Sequence, residues 1–175
     1  MRFLTDIRGL LIALWLGAAC FFSFAVAPSA FGVLPSRELA GSMVGRSLLI
    51  LNISGIIIGA ILIFTSFVGS KDANKVRLWS ERILLAILTV ACAVGQFVIG
   101  TWISIVRSQI GRPIDEVAVD DPLRIQFNNL HEYSVWILVA AMVSALIAFF
   151  LIGRKTNAKP VEAKKDPYDF SDLIH

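Results

Sequence analysis

Four long stretches without a charged side chain divide this sequence. They contain 28, 24, 24 and 21 residues and separate the pairs Arg8 and Arg37, Arg46 and Lys71, Arg82 and Arg107, and Glu132 and Arg154. Since an α-helix rises ~1.5 Å per residue, about 20 apolar residues cross a hydrocarbon core of about 30 Å. The stretches are continuously apolar rather than alternating, which favours helices over the strands of a barrel. The pattern predicts membrane spans at residues 9–27, 46–68, 83–106 and 133–152.

Composition supports the same fold class. Apolar residues make up 57% of the chain and charged residues 17%, a balance that a water-soluble domain of this size cannot bury. We therefore predict an all-α integral membrane four-helix bundle over residues 1–152, whose first partner is the lipid bilayer. Residues 153–175 are polar and predict a disordered cytoplasmic tail. Nothing in the sequence indicates a nucleic-acid partner.

The first apolar stretch also permits a second interpretation. Arg2 and Arg8 precede a run that ends at Ala27, as in a cleaved signal peptide. The run of 19 residues exceeds the usual 7–15 of such peptides, and Pro28 would directly follow the cut. A lipoprotein cleavage before Cys20 is disfavoured in the same way, because Gly17 stands where a bulky aliphatic residue is required. A retained helix is the preferred reading.

The lysines and arginines predict the orientation. Eleven lie in the N-terminus, the second loop and the tail, whereas five lie in the first and third loops and their flanks. Loops rich in Lys and Arg stay on the cytoplasmic side, so both termini are expected there, with the protein in the plasma (inner) membrane.

Local signals predict where three helices begin or end. Ser36 precedes an acidic first turn with Glu38, which is typical of a helix N-cap. Asp121 followed by Pro122 predicts a second start, with a helix that runs without a break to Ile152. Pro28 is expected to end the first helix and leave residues 28–35 as a short apolar turn.

Small residues mark the helix faces that are expected to pack. The second helix carries a stripe of glycines and one asparagine, namely Gly41, Gly45, Asn52, Gly55 and Gly59. The first carries Gly9, Ala13, Gly17 and Cys20. Such faces let helix backbones approach closely, either within one chain or between two copies. The sequence leaves both possibilities open.

Two polar side chains fall inside the predicted spans, Asn52 and Gln96. A polar group in hydrocarbon needs a partner, so both are expected to face the interior and to hydrogen-bond between helices; a substrate path is the alternative. No Asp, Glu or Lys lies within a predicted span, which argues against an intramembrane proton relay.

A second group of candidates lies at the predicted outer rim, where Arg46, His131, Glu132 and Ser134 meet the membrane surface. Arg46 is expected to pair with Glu132, and His131 is a candidate for titration near neutral pH or for metal binding. An imidazole that only stabilises the helix at the interface is the competing interpretation.

The two cysteines are candidates for a different metal site. Cys20 and Cys92 lie at similar depths, so two soft sulfur ligands would meet if the first and third helices touch. Small apolar core residues are the alternative, and no disulfide is expected within the bilayer. The only other histidine, His175, lies on the opposite side, which excludes bis-histidine haem within one chain. No cofactor is predicted.

Two motifs carry a family resemblance. The first runs from Leu14 to Phe31 and continues to Arg46, and the second is Phe127-Asn-Asn-Leu-His131-x-x-Ser134. Together they resemble the transmembrane protein 205-like family, a domain of unknown function. The resemblance implies a small four-helix membrane unit over residues 8–152, with recurrent residues at Trp15, Gly17, Phe22, Pro28, Phe31, Gly45, Arg46, His131 and Ser134. It implies no reaction.

Two function classes follow from these observations. Without a catalytic motif, the preferred hypothesis is a non-enzymatic membrane module that stabilises partners or assists solute or metal transport as a homo-oligomer or with another membrane protein. The alternative is a membrane enzyme or metal-handling protein that uses the rim residues Arg46, His131 and Glu132.

Overall fold

Four long helices make up the structure. The computed structural model describes residues 2–67 and 75–153. Over these residues, the helices Phe3–Val33, Arg37–Thr65, Lys75–Ile110 and Pro122–Gly153 are each long and apolar enough to cross a membrane. At ~1.5 Å per residue they measure about 43–54 Å, so their ends extend beyond a hydrocarbon core of about 30 Å. The predicted tail lies outside the described residues from position 154 onwards.

The first helix continues through Pro28 instead of ending there, so that prediction was wrong. Its segments Arg2–Phe21 and Ala27–Val33 are joined by a π-helical turn at Phe22–Val26. Proline offers no N–H and its ring clashes with the carbonyl four residues earlier. In the wider turn, a backbone N–H bonds to the carbonyl five residues earlier, which accommodates the proline without breaking the helix.

The break comes at Leu34, where the backbone is extended with ψ of 143°. Leu34 precedes Pro35, whose ring disfavours a helical conformation for the residue before it. Ser36 then caps the second helix by accepting a hydrogen bond from the Leu39 N–H at 3.2 Å. The predicted cap at Ser36 is therefore confirmed.

The other helix ends follow from equally local chemistry. Asp121 accepts a hydrogen bond from the Leu123 N–H at 2.8 Å, and the fourth helix begins at Pro122, as predicted. The third helix contains a π-helical turn at Val94–Gly100. It ends at Gly111, whose φ of 63° lies in the left-handed region that favours glycine.

The helices pack as a square, in which each contacts the next and the fourth contacts the first. The first and third helices are diagonally opposite. The centre is filled by large apolar side chains that are fully or almost fully buried, namely Ile12, Trp15, Leu62, Leu85, Leu88 and Ile152. Small residues of the fourth helix, Ala141, Ala145 and Ala148, complete this core.

The glycines of the second helix make room for this core. A Cβ at Gly55 would stand 2.6 Å from Cys92 Sγ and 2.7 Å from Trp15 Nε1, and one at Gly59 would overlap the Thr89 hydroxyl. Trp15 also donates a hydrogen bond from Nε1 to the Leu51 carbonyl at 3.0 Å. The Gly-x-x-x-Gly pair therefore packs within the chain rather than against a second copy.

Gly55→Ala tests this packing, with Gly45→Ala as its matched control. Nothing lies within 4 Å of a Cβ at Gly45, so both variants gain the same helix propensity and only Gly55→Ala meets a clash. We expect Gly55→Ala to lower the free energy of unfolding by about 1–3 kcal/mol, measured by denaturant titration in detergent. Equal shifts for the two variants would contradict the packing described here.

Candidate functional site

Three arginines lie at one end of the bundle. At this end the first and third helices begin, and the second and fourth helices end. The last carbonyls of a helix lack partners within it. Arg8, Arg77 and Arg82 each donate hydrogen bonds to carbonyls at the C-terminal end of a neighbouring helix. These three residues form what we call the arginine layer. Because a helix C-terminus carries partial negative charge, cations are favoured there.

Two members of the arginine layer secure single helix ends. Arg77 donates from Nε and Nη2 to the Leu151 carbonyl, at 3.1 and 2.5 Å. Arg82 donates from Nε to the Ser66 hydroxyl at 3.0 Å and from Nη2 to the Ser66 carbonyl at 3.3 Å. Its guanidinium also lies 3.9 Å from the centre of the Phe67 ring, which adds a cation–π contact. The third helix is thereby tied to the ends of both its neighbours.

Arg8 differs because it is buried together with a carboxylate. Its side chain is 4% exposed and that of Glu81 is 0% exposed, and Arg8 Nη2 donates to Glu81 Oε1. The same nitrogen donates to the Leu62 carbonyl at 3.0 Å. The ion pair crosses the diagonal of the square from the first helix to the third, and the carbonyl belongs to the second. One guanidinium therefore joins three helices.

Sequence reasoning missed this pair. The predicted spans begin at positions 9 and 83, which leaves Arg8 and Glu81 just outside them. In the sequence, Arg8 serves as an orientation signal and as part of the signal-peptide alternative, and nothing there pairs it with Glu81. The available signal was a positive and a negative residue at the same membrane edge of two spans. Whether these two residues pair depends on how the helices are arranged in the bundle, which the sequence does not show.

Three of the four predicted outer-rim residues are exposed, and the fourth, Ser134, is partly buried. Arg46, His131 and Glu132 are all exposed. Among residues 2–67 and 75–153, the ion pairs join Arg8 to Glu81 and Arg37 to Asp115, so the predicted pair of Arg46 with Glu132 does not form. Long side chains at a wet surface gain little from such pairing. A role for these residues stays a prediction.

The polar residues predicted inside the spans occupy different environments. Asn52 is 4% exposed and lines a small cavity with Ser134 and Cys92. Its amide nitrogen lies 3.5 Å from the position of a Cβ at Gly95, so the glycine makes room for it. Within the described part of the chain, its side chain makes no hydrogen bond to another helix, unlike the prediction. Gln96 is partly buried in the π-helical turn of the third helix.

The cysteines lie on the two diagonally opposite helices. Cys92 is buried beside Gly55, whereas Cys20 is only partly buried. No group of three or more His, Cys, Asp or Glu side chains that could hold a metal ion occurs among the residues described. A site made by the two sulfurs alone stays a prediction, as does a metal role for His131.

Comparison with known proteins identifies one family that matches more than half of the chain. The family described as "Domain of unknown function (DUF4149)" matches residues 10–112, which is more than half of the 175-residue chain. The match includes Glu81 and the whole second and third helices, and it ends before the fourth helix begins. No curated protein and no solved structure matches the chain. The resemblance to the transmembrane protein 205-like family therefore stays a prediction.

A double-mutant cycle tests the buried ion pair. We expect Arg8→Met and Glu81→Met each to lower the free energy of unfolding by about 3–5 kcal/mol, because each leaves a buried charge without its partner. The double variant should be far less destabilised than the sum, because two methionines leave no such charge. Denaturant titration in detergent measures all four proteins.

The exposed pair of Arg37 and Asp115, with 3.5 Å between Nη1 and Oδ1, provides the control cycle. Its coupling energy should stay within ~1 kcal/mol. Additive losses at Arg8 and Glu81 would show that the two side chains do not act as a pair.

Proposed function

The chain belongs to the DUF4149 family, and from this premise we propose that it is a non-enzymatic membrane module that works by helix–helix association, first with a second copy of itself. The observation that carries the proposal is a stripe of small residues on the first helix whose glycines face open space in the part of the bundle that the structure describes. Gly9 and Gly17 both have open space where a Cβ would stand, with no atom within 4 Å.

The interior of the bundle supports association rather than transport through one copy. Trp15, Leu62 and Leu88 are among the side chains that fill the centre, each at most 2% exposed. The cavity beside Asn52 has room for about one water molecule. A solute path would therefore have to lie between copies, so assistance to solute or metal transport is a further proposal that depends on the same association.

The stripe has the pattern that membrane helices use to approach one another closely. Gly9, Ala13 and Gly17 recur every four residues, and Gly17 is exposed. Large apolar side chains flank it, including the exposed Leu10 and Leu14. Small residues at this spacing suit two copies of the same helix, because a two-fold axis brings the same surface of each copy together. We therefore favour a second copy over an unrelated partner.

We further propose that both termini face the cytoplasm and that the chain resides in the plasma (inner) membrane. The excess of Lys and Arg in the N-terminus, second loop and tail supports this orientation. In this arrangement, the arginine layer lies at the cytoplasmic surface and residues 111–121 lie outside.

Gly17→Leu tests the association surface. A leucine there has space within the monomer but blocks close approach of a second helix. We expect the dimer dissociation constant to rise at least about tenfold, equivalent to ~1.4 kcal/mol, in liposomes analysed by single-molecule photobleaching across a range of protein-to-lipid ratios. The stability of the monomer should not fall, because leucine favours a helix more than glycine does.

Ala60→Leu is the matched control, because Ala60 is exposed on the second helix and lies away from the stripe. It should leave the dimer intact. A wild-type chain that stays monomeric at every protein-to-lipid ratio would overturn the proposal. A dimer that Gly17→Leu and Ala60→Leu affect equally would exclude the stripe as its contact surface.

Cysteine labelling tests the orientation. In a chain whose native cysteines are replaced, Asp120→Cys should react with a membrane-impermeant maleimide in intact cells. Lys75→Cys, which is exposed at the opposite end, should react only after the cells are permeabilised. The reverse pattern would contradict cytoplasmic termini.

A further inference from the structure

An arginine without a polar partner lies at the end of the bundle opposite the arginine layer. Arg107 is partly buried in the last turns of the third helix, yet its guanidinium makes no hydrogen bond or ion pair within the described residues. It packs against Gly41, where Nη2 lies 2.8 Å from the position of a Cβ, and 5.8 Å from the centre of the Phe127 ring. These contacts hold the side chain in place but satisfy none of its five N–H donors.

The guanidinium opens into a pocket that contains a second arginine. Glu38, Arg112, Pro113 and Ile114 line this pocket together with Arg107. Neither arginine forms an ion pair with the carboxylate of Glu38 or with any other carboxylate in the described parts of the chain. Two unpaired guanidinium groups facing one carboxylate leave the pocket with a net positive charge.

Two neighbouring arginines have partners within the chain. Arg37 pairs with Asp115, and Arg124 donates a hydrogen bond to the Val117 carbonyl. The third loop is rich in acids, and yet Arg107 and Arg112 are not neutralised by it. Their arrangement therefore suits an anion that comes from outside the chain.

The depth of the pocket identifies the kind of anion. Trp102, Tyr133 and Trp136 are exposed near the same end of the bundle, and such rings favour the headgroup region. Arg107 lies five residues beyond Trp102, which corresponds to about 7 Å along the helix. If these rings lie at the headgroup level, this position falls at the level of the lipid phosphates. Guanidinium groups bind phosphate through paired N–H donors.

We propose that Arg107 and Arg112 form a binding site for a phosphate group, supplied by a phospholipid headgroup or by free phosphate. Gly41 and Phe127 hold the Arg107 guanidinium in its place, and the pocket beneath the loop at residues 111–114 receives the phosphate oxygens. Glu38 lies where an amine carried by the same headgroup would be accepted, so phosphatidylethanolamine should bind at least as well as phosphatidylglycerol.

Lipid titration followed by native mass spectrometry tests the site on the full chain. Phosphatidylglycerol and phosphatidylethanolamine are added in separate arms, and a third arm measures binding of inorganic phosphate by calorimetry. Arg107→Gln and Arg112→Gln should each weaken binding at least about fivefold in the arm that contains the true ligand. Glu38→Gln should weaken only phosphatidylethanolamine.

Arg46→Gln is the matched control, because Arg46 is an exposed arginine at the same end of the bundle that does not line the pocket. It should leave binding unchanged. Arg112 is exposed, so Arg112→Gln should retain the fold. If Arg107→Gln does not fold, the binding measured with Arg112→Gln alone tests the proposal. Equal effects of Arg112→Gln and Arg46→Gln, or no binding in any arm, would overturn the proposal.

Discussion

A charged group inside a membrane bundle must be neutralised by groups of the same protein, and this constraint organises one end of the molecule. Arg8 is neutralised by the carboxylate of Glu81 on the diagonally opposite helix. It also donates a hydrogen bond to the Leu62 carbonyl on the second helix. Removing a charge from water is costly unless it is paired and hydrogen-bonded. The first three helices can therefore slide or rotate against one another only if these contacts of Arg8 are broken. Apolar packing alone would define their relative positions less sharply, because lipid tails are as apolar as leucine.

The two ends of the bundle use arginine in opposite ways. At one end, Arg8, Arg77 and Arg82 are satisfied by the carbonyls of neighbouring helices, so the residues that indicate the orientation also hold the helix ends together. At the other end, Arg107 is held by Gly41 and Phe127 and keeps its donors available. One end of the bundle therefore has its arginines bonded within the chain, and the other end has an arginine whose donors remain available.

Much of the fold could be predicted because it depends on local chemistry. Span length and caps such as Ser36 and Asp121 act over a few residues, so the sequence shows them directly. The prediction at Pro28 is wrong because a π-helical turn accommodates the proline, and the local sequence does not distinguish such a turn from a helix end. The candidate site was harder to predict. Arg8 and Glu81 lie 73 residues apart, and the glycine stripes did not reveal that Gly55 packs within the chain whereas Gly17 stays open. The ion pair and the difference between the two glycines both depend on how the helices are arranged, which the sequence does not show.

The contact between the Arg8 guanidinium and the Glu81 carboxyl can be measured directly. Magic-angle-spinning NMR of the full chain in lipid bilayers, with ¹⁵N in arginine and ¹³C in glutamate, measures the dipolar coupling between the two groups, and Glu81→Gln assigns the signal. If the two groups are paired, the nitrogen-to-carbon distance should be about 4 Å or less. A Glu81 carboxyl with no coupling to any arginine would contradict this pairing.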